Sequence, residues 1–277
     1  MVTVSLALLA ALAYGSADFF GGLASRKMAA ALVVVFAQVA GLVVLAVVYP
    51  LVPGRFYVTD LGWGLAAGAC GALGIGALYA ALAVGRMGVV SPVTAVVGAC
   101  VPVAWGLMTG ERPGALALAG IGLAFVAVAL VSTDARTGRI SPREPGLRLA
   151  LVSGLAIGLL YVFLAQAHRD AGLAVVAASR LSSIPLLLAY ALTRRESPAA
   201  AGNLWMMLAL AGGLDMAANV LYVVAARAGL VAIAAVLTSL YPAATVFLAR
   251  LVLGERLTGV QWAGVGCAAA GVVLIAA

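Results

Sequence analysis

Apolar runs of about 18–23 residues follow one another along this chain, and that is the length at which an α-helix crosses a bilayer. The runs are continuous. Barrel strands would instead alternate apolar and polar residues, so the spans are helices, whose backbone groups are satisfied within each segment. Hydrophobic residues form 65% of the 277 and charged residues 9%, whereas soluble domains carry about 25% charged residues. Ten spans are read: 4–24, 30–50, 61–83, 88–109, 115–133, 149–167, 174–193, 204–226, 231–253 and 259–277. Most gaps are short, so consecutive helices pack as antiparallel neighbours. The longest polar gap, DARTGRISPREPGLR (134–148), separates two sets of five spans, 1–133 and 149–277.

The two sets read as copies of one unit. Gly110-Glu111-Arg112 precedes the fifth span and Gly254-Glu255-Arg256 precedes the tenth. LALLAALAYG (6–15) and LALVSGLAIG (149–158) agree at six of ten positions, and Leu78-Tyr79 matches Leu221-Tyr222. Thr94 and Thr238 stand equally far before their turns. Five is odd, so the second copy enters the membrane from the opposite side. The expected fold is an all-α integral membrane protein of ten transmembrane helices, arranged as two inverted five-helix repeats. Such repeats offer two states of similar energy and place a site between the copies.

Asp18, Arg180 and Asp215 lie well inside spans, where each costs about 2.5–3.5 kcal/mol on insertion scales if it faces lipid. They are expected to face the bundle interior. Asp18 shares a helical face with Tyr14, Gly15, Gly21 and Gly22, and Asp215 shares one with Gly212, Asn219 and Tyr222. Gln38 holds nearly the place in the second span that Arg180 holds in the seventh. Arg180 reads either as an anchor for an anionic substrate group or as a salt-bridge partner of Asp215. Tyr79 and Tyr222 end their helices and read either as cavity lining or as interface anchors. The candidate substrate-binding or coupling residues are thus Asp18, Arg180, Asp215, Asn219, Tyr14, Gln38, Tyr79 and Tyr222.

Other features read as structural. Glu111 and Glu255 favour the dipole of a following helix N-terminus. Gly64 and Gly68, extended by Gly71, Gly74 and Gly76, form a close-packing surface. Pro92, Pro102, Pro185 and Pro242 are expected to bend their helices. Cys70, Cys100 and Cys267 read as buried thiols, and Trp63, Trp105, Trp205 and Trp262 as interface anchors. The lone His168 has no partner pattern, and neither a metal set nor a catalytic or cofactor motif is expected. The net charge of +7 sits mostly in the gaps between spans, which points to topology signals rather than nucleic acid.

The segment SLYPAATVFLARLVLGERLTGVQWAGVGCAAAGVVLI (239–275) resembles the end of an EamA repeat of the drug/metabolite transporter superfamily. ALYAALAVGRMGVVSPVTAVVG (77–98), GERPGALALAG (110–120) and AYGSADFFGG (13–22) extend the resemblance over nearly the whole chain. It implies a ten-helix carrier with a central cavity that moves a metabolite, amino acid or drug. The partners expected are the lipid bilayer, a small-molecule substrate and protons as coupling ion, in the cell membrane. A membrane-embedded enzyme and a non-transporting scaffold are the alternatives. If Arg180 is free, an Arg and two Asp suit a zwitterion; if Asp215 consumes Arg180, Asp18 favours a cation. Four Lys or Arg lie on the side of the termini and eleven on the other, which places both termini outside, whereas the resemblance implies cytoplasmic termini. Impermeant labelling of a cysteine at position 140 separates the two.

Overall fold

The computed structural model describes residues 2–52, 54–85, 87–131, 146–199, 201–253 and 259–276. They form eleven α-helices and one 3-10 turn, with no strand among the described residues. In chain order the helices are α1 (Val2–Ser25), α2 (Ala30–Val48), α3 (Val58–Val84), α4 (Met87–Met108), α5 (Ala115–Val131) and α6 (Leu147–Ala165). These are followed by α7 (Ala174–Thr193), α8 (Ala201–Ala228), α9 (Val231–Thr238), α10 (Tyr241–Leu253) and α11 (Gly259–Ala276). Seven segments of the described residues are long and apolar enough to cross a membrane, and shorter apolar helices cover Val93–Met108 and Ala115–Leu130.

The span read at 231–253 is two helices. Pro242 has no N–H to donate to the carbonyl of Thr238 and disfavours helical geometry at Tyr241. α9 therefore ends at Thr238 and α10 starts at Tyr241. Pro92, Pro102 and Pro185, read as bends, lie inside uninterrupted helices. α6 begins at Leu147, inside the stretch read as linker, after Gly146 at φ +82°. Residues 134–145 of that linker, Arg86 and the Gly254-Glu255-Arg256 turn lie outside the described residues.

Packing is carried mainly by contacts between the first five helices and the last six. α1 lies on α8, α3 on α6 and α7, α2 on α7 and α8, α4 on α6, and α5 on α11. Small residues allow the close approach. A Cβ on Gly68 would collide with the Ser179 carbonyl of α7, and one on Gly212 with the Ala37 carbonyl of α2. Hydrocarbon offers no hydrophobic drive for helix association, so such close packing holds the bundle together.

The cysteines depart from expectation. Cys100 is exposed and Cys70 and Cys267 are half-buried. A thiol is as compatible with lipid as with a core. All four tryptophans are exposed on the helix surface.

Candidate functional site

The Gly-Glu-Arg turn has a function in packing. Gly110, at φ +95°, ends α4 through bonds from its own N–H to Leu107 O at 3.3 Å and from Glu111 N–H to Gly106 O at 2.8 Å. This is a Schellman termination, which favours glycine in the left-handed position. It directs Glu111 onto the start of α9, where Val231 and Ala232 N–H donate to Oε1 and Oε2 at 2.8 and 3.0 Å. The carboxylate thus serves a helix N-terminus as expected, but that of α9 rather than of the following α5.

A cavity lies where α1, α3, α6, α8 and α10 converge. Its polar walls are Tyr14 and Asp18 from α1, Tyr161 from α6, Asp215 and Asn219 from α8, and Tyr241 from α10. Ile75, Leu78, Ile157 and Leu160 supply the apolar remainder. α1 reaches this position because Gly15 packs on the backbone of Tyr241 and Gly21 on the Tyr79 ring. Thr245 Oγ1 then donates to the Gly15 carbonyl at 3.0 Å. The cavity volume is about 30 Å³, room for about two waters and far below the 300–1,000 Å³ or so of a ligand pocket.

Arg180 does not line the cavity. Its Nη2 donates to Asp215 Oδ2 at 2.9 Å, with both side chains largely buried. Asn219 Nδ2 donates to the Asp215 carbonyl at 2.8 Å. Gln38 is buried on α2 and accepts from Ser183 Oγ at 2.7 Å, one turn along α7 from Arg180. Tyr79 and Tyr222 are not among the residues that line this cavity. Both are buried, donating to the carbonyls of Ala17 at 3.4 Å and Tyr161 at 3.1 Å. The structure therefore gathers Tyr14, Asp18, Asp215 and Asn219, holds Arg180 and Gln38 behind them, and uses the other two tyrosines for packing.

Tyr161 and Tyr241 were missed by sequence reasoning. The match of 6–15 with 149–158, continued by three residues, aligns Asp18 with Tyr161, and that was the available signal. Tyr161 stacks obliquely on Tyr222, with centroids 4.5 Å apart, and lies 6.0 Å from Tyr14. Tyr14 Oη is buried beside it without a well-formed hydrogen bond.

A second polar cluster joins the α2–α3 loop and the first turn of α3 to the α6–α7 loop. Asp60 Oδ1 meets His168 Nδ1 at 2.9 Å and accepts the His168 N–H at 3.2 Å. Tyr57 stacks on the imidazole at 4.1 Å, and its hydroxyl donates to Asp170 Oδ2 at 2.7 Å. That hydrogen bond holds the Asp170 carboxyl below its ordinary value and raises Tyr57 above its own. Arg55 N–H donates to Asp170 O at 2.8 Å, and Arg227 Nη1 to Gly172 O at 2.5 Å. His168 was read as lacking a partner, and its partner is Asp60, 108 positions away.

Residues 144–277 match the family model described as the EamA-like transporter family. No curated protein sequence matches the chain. A solved structure described as the crystal structure of a protein superposes with a TM-score of 0.70, covering 96% of this chain and 95% of its own at 16% identity. That likeness is one of fold.

Proposed function

We propose, starting from the match of residues 144–277 to the EamA-like transporter family model, that this chain is a secondary carrier of a small organic solute. It works by alternating access around the cavity between α1 and α8, in the cell membrane. The observation that carries this reading is that buried cavity, to which two carboxylates contribute from opposite halves of the chain. Intramembrane ionisable side chains mark substrate or ion pathways. Its water-sized volume is too small for such a solute, so the cavity must widen to admit one.

Two inverted five-helix units, 1–133 and 149–277, belong to the same reading. Helix partners support it, because they are reciprocal. α1 meets α8 as α3 meets α6, α2 meets α8 as α3 meets α7, and α1 meets α10 as α4 meets α6. Gly15 of α1 packs on Tyr241 and Thr245 of α10, and Gly158, its counterpart on α6, packs on Gly98 and Val101 of α4. Such exchange of equivalent partners is what a two-fold relation between copies produces. The cluster around Asp60, His168 and Asp170 ties the start of α3 to the α6–α7 loop of the other unit and closes one end in this reading.

Asp18 and Asp215 are proposed as the coupling groups, with protons as the coupling ion. The test is uptake of a panel of amines, amino acids and organic acids into proteoliposomes across pH. Asp18→Asn should keep the fold, since an amide still hydrogen-bonds, whereas Asp215→Asn leaves the buried Arg180 charge without its counter-ion and should lower the yield. Per folded protein, each should lower uptake about tenfold or flatten its pH dependence. Unchanged transport by both variants would overturn the assignment of the carboxylates.

A further inference from the structure

We infer that the solute is an organic monocation, held by Asp18 as counter-ion among tyrosine rings. The inference rests on the carrier reading, and it decides between the zwitterion and the cation that the sequence leaves open. Arg180 is the intramembrane cation that would anchor a substrate carboxylate. Its guanidinium is bonded to Asp215 at 2.9 Å, and Arg180 is absent from the cavity wall. That ion pair leaves Asp18 as the cavity-lining carboxylic group with no ion-pair partner among the described residues.

Asn219 gives one of its two amide N–H groups to the Asp215 carbonyl, and its carbonyl oxygen adds an acceptor to the residues that line the cavity. With Asp18 and Asp215 this makes a wall whose formal charge is negative, since Arg180 offsets only one of the two carboxylates, and that suits a cationic ligand better than an anion. Tyr14, Tyr161 and Tyr241 add aromatic walls. A cation within about 6 Å of the face of such a ring is attracted by its quadrupole, most strongly when desolvated. Ile75, Leu78, Ile157 and Leu160 suit an apolar body. A free carboxylate, aromatic rings and an aliphatic floor fit an amine or quaternary ammonium that carries a hydrophobic group. A zwitterion would leave its carboxylate without a cation.

Calorimetric binding to the full chain in lipid nanodiscs tests this, with benzyltrimethylammonium as the probe. Phenylalanine supplies the zwitterionic comparison and 3-phenylpropionate the anionic one. Benzyltrimethylammonium should bind about tenfold or more tighter than either. Asp18→Asn should weaken it about tenfold or more. Tyr161→Leu should weaken it about fivefold, and more than Tyr161→Phe does, because only the phenyl ring keeps the cation–π contact. This ranking holds the inference open to refutation if Asp18→Asn fails to fold. Tighter binding of phenylalanine or phenylpropionate, failure of the cation to bind, or cation binding indifferent to both positions would overturn it. Proteoliposome flux of the same compounds separates the two levels. Flux of phenylalanine without binding of the cation keeps the carrier and overturns the cation. Cation binding as described, with no flux of any compound, supports the cation and overturns the carrier.

Discussion

Arg180→Ala is expected to abolish recovery of folded protein. The substitution leaves the Asp215 carboxylate buried without the guanidinium that meets it at 2.9 Å. Breaking a buried pair by removing one partner costs about 3–5 kcal/mol, a large share of a total stability of about 5–15 kcal/mol. The pair also joins α7 to α8, so its loss loosens the wall behind the cavity. Arg180→Ala combined with Asp215→Ala should restore much of the yield, because no isolated charge remains, while transport stays absent. Fluorescence-detected gel filtration of the two variants from matched cultures checks this. A single variant that elutes and melts like the parent, and lacks only solute binding, would make Arg180 a substrate anchor instead.

Gly212→Leu is expected to be comparably damaging, by overpacking rather than by charge. The Gly212 position on α8 abuts the Ala37 carbonyl of α2, and Gly41 of α2 approaches the Gly212 carbonyl from the other side. A side chain there must push two backbones apart, and forced overpacking typically costs about 1–3 kcal/mol or more. Gly62 on α3 is the internal control, since a Cβ there meets nothing within 4 Å. Gly62→Leu should melt within a few degrees of the parent, and Gly212→Leu should fail to give a monodisperse peak. Equal behaviour of the two would show that backbone contact at Gly212 does not hold α2 to α8.

The helices were legible because burying backbone in lipid forces long apolar segments. The interior faces were legible only where a polar group could not face lipid. Asp18 and Asp215 were placed inward by that cost, and the cavity includes both. Cys100 shows the converse: lipid and core are both apolar, so nothing in the sequence marks its side as the exposed one. The Asp60–His168 contact was hidden because the third span was drawn from residue 61, leaving Asp60 in a loop. α3 in fact begins at Val58 and buries Asp60 to 1% exposure. Glu111 was assigned to the helix that follows it, because sequence proximity says nothing of an α9 terminus 120 positions away. Pro242 was read as a bend, which understated it, since there the helix ends and restarts.

Two-sided access to the cavity tests the carrier account most directly. Leu160→Cys, on the cavity wall, would be placed in protein whose Cys70, Cys100 and Cys267 are replaced by alanine. Sealed vesicles of opposite orientation would then be exposed to a membrane-impermeant maleimide. An alternating-access carrier predicts that the cysteine is modified from either face, with benzyltrimethylammonium slowing both reactions if it occupies the cavity. Modification from one face alone, in protein that still folds, would contradict the account.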